Sequence, residues 1–236
     1  MIGHLIMDFL KEVKHTSIAI DKYIHKTELS YSKSFSKISR NQIWFKQENK
    51  QYTGSFKIRG ALSKLISLSK EKVKRGVIAA STGNHGLAVA YASNRLGIES
   101  EVFVPDTTQK FKIEKIKSLG SKVIYYGQDC LEAEIEARKV SQRKNCEYIS
   151  PYNDSYVIEG QGTIADEIAN QIKKLDIVIV SVGGGGLIAG ISQYLKLRWP
   201  DIQVVGCSPK NSAVMLQSIL SEEILEIESK STLSDG

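Results

Sequence analysis

The residue pattern points to an α/β protein with parallel sheets, on three observations. From about Arg75 onward, short apolar runs of strand length alternate with longer stretches of helical periodicity. The breaks between them fall at turn-forming residues such as Gly83-Asn84, Pro105, Gly120 and Pro151. No internal repeat and no low-complexity linker interrupts the alternation. A chain of this kind lays parallel strands side by side and covers both faces with helices.

Taken in order, Ile43 to Lys46 reads as a strand, and Lys57 opens a helix whose apolar stripe is Ile58, Ala61, Leu62, Leu65 and Ile66. Val77 to Ala80 is a strand, Gly86 to Leu96 a helix, and Glu101 to Val104 a strand stopped by Pro105. Gln109 to Leu119 is a helix closed by Gly120. Lys122 to Tyr126 is a strand, and Asp129 to Arg143 a helix with Asp129 as its N-cap. Tyr148 and Ile149 end a short strand. After a loop follow a helix over Thr163 to Lys173, marked by Ile164, Ile168 and Ile172, and a strand over Ile177 to Val182. A helix over Leu187 to Leu197 and a strand over Gln203 to Cys207 complete the set. The pattern divides into two α/β modules that meet near Arg75 and again near Pro151.

With 236 residues the chain is long enough for one large domain or two small ones. Its formal charge of +6 is dispersed among acids, and the stretch around Glu222, Glu223, Glu226 and Glu228 is acidic, so no nucleic-acid surface is expected. Cys130, Cys146 and Cys207 match no zinc or redox spacing and read as reduced thiols of a cytoplasmic protein. Met1 to Leu10 carries Asp8 and no small-residue cleavage site, so no secretory signal is expected. The most apolar run is interrupted by four consecutive glycines, so no membrane span is expected.

Three motifs carry chemistry. Thr53-Gly54-Ser55-Phe56-Lys57 follows a strand and places a lysine in the first turn of a helix, where the helix dipole disfavours a cation. A lysine engaged as a Schiff base with pyridoxal phosphate (PLP) loses that full charge; the alternative is a surface lysine on a glycine turn. Ser81-Thr82-Gly83-Asn84-His85-Gly86 joins a strand to a helix, and its N–H groups and hydroxyls suit a carboxylate; the alternative is an ordinary Asn-capped βα loop. The His85 side chain by itself reads as structural rather than catalytic. Gly183-Gly184-Gly185-Gly186-Leu187 follows an apolar strand and starts a helix, a combination that lets the backbone wrap a phosphate; the alternative is a purely structural glycine turn after a buried strand. Gly184, Gly186 and Ala189 also fit a dinucleotide fingerprint, but the acid expected after the next strand is absent, since Cys207 runs into Ser208.

In that order and spacing, the three motifs resemble the fold-type II PLP enzymes, the tryptophan-synthase-β superfamily, and within it the threonine/serine dehydratases and serine racemases. Supporting stretches are Lys46 to Asn49, Ala80 to Ala92, Val157 to Glu167 and Ser181 to Gly190. Gly83-Asn84-His85 departs from the G-N-T of cysteine synthases. Thr82 stands where racemases often have serine, and Pro151-Tyr152-Asn153-Asp154 resembles the dehydratase P-F-D-D stretch. Val205 to Ala213 resembles a dehydratase group that includes hydroxyectoine-utilisation enzymes.

The resemblance implies two three-layer α/β/α domains with PLP in the cleft between them. Residues 1–74 and 152–236 would form a large PLP-binding domain, and 75–151 a small one. It implies Lys57 as the catalytic and cofactor-carrying residue, with Phe56, Asn84 and Gly183, Gly184, Gly185, Gly186 and Leu187 on the cofactor. Ser81, Thr82, Gly83, Asn84 and His85 would hold the substrate carboxylate. With Ser208 and Val214 where some relatives have carboxylates, no metal is expected. The implied reaction converts L-threonine or L-serine to a 2-oxo acid and ammonia; serine racemization and a non-catalytic PLP-binding remnant are the alternatives. The implied partners are a small hydroxy amino acid and a second copy in a homodimer. Ser231 to Gly236 resembles a family stretch after which relatives continue, so the large domain is expected to be incomplete at its C-terminal end.

Overall fold

A computed structural model describes residues 2–225, 227 and 232. The chain runs α1 (Ile2–Ile20), β1 (Leu29–Tyr31), α2 (Lys33–Ser39), β2 (Trp44–Lys46), α3 (Lys57–Ile66) and α4 (Lys70–Arg75). It continues β3 (Val77–Ala80), α5 (Asn84–Leu96), β4 (Ser100–Val104), α6 (Lys110–Ser118), β5 (Lys122–Tyr125), α7 (Cys130–Lys144) and β6 (Glu147–Tyr148). Then come α8 (Ser155–Gln171), β7 (Ile177–Ser181), α9 (Gly186–Arg198), β8 (Gln203–Cys207) and α10 (Val214–Ser221). The acidic Glu226 and Glu228, and all of Ser231 to Gly236 except Thr232, lie outside the described residues.

Strands β3 to β6 form one parallel sheet in the order β5-β4-β3-β6. Side chains alternate across it as a pleated sheet requires. Ile78 and Phe103 pack on Ala133 and Ala137 of α7. Val102 and Val104 face the other way, onto Ala90 of α5 and Ile116 of α6. These three layers match the expected architecture for this part of the chain. The apolar stripe of α3 (Ile58, Ala61, Leu62, Leu65) joins Val77, Ala79, Ala88 and Val89 in one buried cluster, so the core crosses the boundary expected near Arg75.

Strands β7 and β8 pair in parallel, Ile177 opposite Gln203 through Ser181 opposite Cys207. Val178, Val180 and Val204 pack on Ile164 and Ile168 of α8, Ile191 and Leu195 of α9, and Val13 of α1. The alternate residues Ile177, Ile179 and Val205 are exposed on the opposite face. Strands β1 and β2 pair antiparallel.

Helix α8 corrects an expectation. It begins at Ser155, not Thr163, because the Asp154 carboxylate accepts hydrogen bonds from Tyr156 N and Val157 N and caps it. Gly160 and Gly162 make this stretch read as a loop, yet both are helical. A Cβ on Gly160 would lie 2.5 Å from Arg59 O and 2.6 Å from Gly60 Cα, and one on Gly190 would lie 2.3 Å from Ile158 O. The glycines let the backbones of α3, α8 and α9 approach closely. Helices α1, α2, α4 and α10 and strand β1 have no counterpart among the expected elements. Among the described residues, no helix is long and apolar enough to cross a membrane.

Candidate active site

Lys57 is the first residue of α3. Phe56 at the N-cap position makes no side-chain capping bond, and the first turn holds no acidic residue. The Lys57 Nζ donates to Pro151 O at 2.8 Å and lies 5.3 Å from the centre of the Phe56 ring. Burial lowers its pKa from 10.5 to about 8. A neutral carbonyl offsets little of that burial, so the surroundings ease loss of the proton that a nucleophilic amine must shed.

A cavity of about 530 Å³ brings Phe56 and Lys57 together with the whole loop Gly183 to Leu187, and its wall includes Tyr152 and Cys207. The loop turns β7 into α9, whose first-turn N–H groups are free for an anion. Its four glycines answer different demands. Gly185 has φ +86°, in the left-handed region. Cβ atoms on Gly184 and Gly186 would meet the Tyr152 ring at 2.3 Å and Tyr152 O at 2.8 Å. Gly183 has no positive φ, and nothing lies within 4 Å of its Cβ position. The protein itself therefore does not require glycine there, whereas a phosphate drawn close to the backbone does. Gly83 is alike, with φ −121° and open space at its Cβ position. The residues present fit a phosphorylated cofactor carried on Lys57.

Not all expected site residues meet in this cavity. Ser81, Thr82, Gly83, Asn84 and His85 do not line it. They form the turn from β3 into α5, in which Gly83 N donates to Ser81 Oγ at 3.1 Å and Asn84 is the first helical residue. The link to Lys57 is the segment 149–151, because His85 Nε2 lies 2.8 Å from Ile149 O and Lys57 Nζ bonds Pro151 O. A carbonyl only accepts, so Nε2 carries the proton in the neutral ring. This is the structural role that the sequence suggested for the ring. Tyr152 and Pro151 are the site residues that motif reading missed; their stretch was legible only as a family marker.

Burial pushes the His85 pKa down to about 4, and the Lys57 charge adds to the shift. The unfolded chain binds this proton near pH 6.5, so the folded state loses stability as pH falls from about 6.5 to about 4 and little more below. The span amounts to about 3 kcal/mol. Thermal melts across that range should show the fall in the wild type and a shallower one in His85→Gln; equal slopes would refute the assignment.

A glycine loop at a helix start, sharing a cavity with a buried amine on an α/β frame, suits a phosphorylated aldehyde cofactor held on lysine. The chain belongs to the family of pyridoxal-phosphate dependent enzymes, whose model matches residues 20–236, and PLP is the family's cofactor. It is 39% identical over 227 residues to the L-threonine ammonia-lyase of Thermotoga maritima, covering 96% of this chain and 57% of that protein. Among solved structures it is similar to the processed form of threonine deaminase isoform 2 from Solanum lycopersicum, with TM-score 0.92 and 33% identity, covering 96% of this chain and 65% of that one. It is also similar to maize serine racemase, with TM-score 0.90 and 31% identity, covering 94% of this chain and 68% of that one. The chain spans less than two thirds of the length of the first two of these relatives.

Proposed function

We propose that this chain carries the PLP site of an ammonia-lyase that converts L-threonine, L-serine or both to a 2-oxo acid and ammonia. The observation that carries the proposal is the Lys57 amine, buried against a neutral carbonyl in the same cavity as the Gly183 to Leu187 loop. Bound PLP supplies the electron sink for the carbanion formed at the substrate Cα. The glycine loop and the start of α9 hold its phosphate, Phe56 packs beside it, and Asn84 is assigned to its ring hydroxyl. The turn from Ser81 to His85 is assigned to the substrate carboxylate. The Lys57 Nζ would take the proton from Cα, the β-hydroxyl would leave as water, and the released enamine would tautomerise and be hydrolysed by water to the 2-oxo acid and ammonia.

A racemase reading draws on the likeness to maize serine racemase; the residue that would serve the opposite face of the substrate is Thr82. The three free thiols support a cytoplasmic setting, and the family resemblance supports a homodimer.

The test incubates the protein with PLP, reduces it with borohydride and maps the label, then assays L-threonine and L-serine for keto acid and D-serine. Label confined to Lys57 with keto-acid release supports the lyase. D-serine without keto acid supports the racemase, label without turnover supports a non-catalytic PLP-binding protein, and label absent from Lys57 refutes the site. Gly183→Ala should leave the melting temperature unchanged, because its Cβ meets nothing, while weakening PLP binding about tenfold, or about 1.4 kcal/mol. A PLP titration equal to that of the wild type would show that no phosphate sits at Gly183.

A further inference from the structure

We propose that Arg59 is a positioning residue for Lys57, one that locates the first turn of α3 in place of a helix cap; this rests on the reading of Lys57 as the PLP carrier.

The Arg59 side chain lies two residues beyond Lys57 and is 0% exposed. Its Nε and Nη2 donate to the two oxygens of Glu48 at 2.8 and 2.9 Å, and its Nη1 donates to Glu167 at 2.8 Å and to Thr163 Oγ1 at 3.1 Å. Each carboxylate has a second donor: Lys46 Nζ bonds Glu167, and the Thr27 hydroxyl bonds Glu48. Two cations and two anions balance, so the cluster stays neutral away from water. The Arg59 main chain is held as well, because a Cβ on Gly160 of α8 would come within 2.5 Å of Arg59 O. Side chain and backbone of Arg59 thus fix α3 against the Glu48 turn and against α8.

Lys57 has no comparable anchor. Its turn lacks a cap and its amine has a neutral partner, so the position of Nζ follows that of the helix start. A displacement of about 1 Å in such a group costs on the order of 10²-fold in rate. Glu48, Arg59 and Glu167 do not line the cavity that holds Lys57 and the glycine loop, so their effect on it passes through Lys57.

The test uses Arg59→Lys, which keeps the charge but loses the fork that spans two carboxylates. Melting temperature, borohydride-trapped PLP at Lys57, and the pH profile of Lys57 acylation by acetic anhydride in cofactor-free protein are measured together. The amine faces Pro151 O, the Phe56 ring and a neutral His85, and shares its cavity with Tyr152 and Cys207; burial is what lowers its pKa, so a change in its profile reports a change in burial. Wild-type Lys57 should react with a midpoint of about 8. In folded Arg59→Lys the midpoint should rise toward 10.5, and PLP trapped at Lys57 should fall about tenfold or more. If that variant does not fold, Glu48→Gln, which keeps an acceptor for the guanidinium, should show the same two changes at smaller size. A folded variant with an unchanged midpoint and unchanged trapping overturns the proposal and leaves Arg59 a purely structural residue. Wild-type protein that traps no PLP at Lys57 instead overturns the carrier reading, which the acylation profile does not depend on.

Discussion

Lys57→Ala should leave a folded protein that neither traps PLP under borohydride nor releases keto acid from L-threonine or L-serine. One residue is expected to do so much because the amine both carries the cofactor and moves the substrate proton. General-base catalysis by itself is worth about 10²–10⁴-fold, and loss of the cofactor removes the remainder. The fold should barely notice: the substitution deletes one hydrogen bond to a neutral carbonyl, worth about 1 kcal/mol, or about 2–4 °C in a chain of this size. Peptide mapping, a keto-acid assay and a melt on the same sample check all three points. Turnover at the wild-type rate, or PLP trapped on another lysine, would remove Lys57 from the mechanism.

The largest stability effect should come from Gly160→Ala, where two principles oppose each other. Helix propensity favours alanine over glycine by about 1 kcal/mol. Packing opposes it, because the new methyl would lie 2.5 Å from Arg59 O, 2.6 Å from Gly60 Cα and 2.8 Å from Arg59 C, all of them backbone atoms that cannot turn aside. Overpacking of this kind costs about 3 kcal/mol, so packing wins by about 2 kcal/mol and the melting temperature should fall by about 4–8 °C. The displacement would also push on Arg59, two residues from Lys57, so PLP trapping should weaken alongside. A stabilised Gly160→Ala would mean that α3 and α8 are not in close contact at this point.

What was legible in the sequence followed from local rules. The elements from β3 to β6 lie where their periodicity placed them, and Asp129 caps α7 through Glu132 N as its position suggested. Lys57 opens its helix, and the four glycines join β7 to α9, because strand–glycine–helix junctions are signalled within a few residues. The stretch from Ser155 to Gly162 escaped for the converse reason. Gly160 and Gly162 act as helix breakers in isolation and are retained in a helix only by the approach of α3 and α9, segments far away in the chain.

The same division holds for the site. The chain's local patterns gave the α/β class and the three motifs in their order, and suggested a chemistry for each, since glycine turns and helix starts are signalled within a few residues. Tertiary structure alone decided that Lys57 and the glycine loop share a cavity from which the turn at Ser81 to His85 is set apart by the segment 149–151. It decided that Tyr152 accounts for two of the four glycines, and that Arg59 disappears into a neutral cluster with Glu48, Glu167 and Lys46. Those facts depend on distances between residues remote in sequence, and burial and close approach leave no periodic trace in the chain.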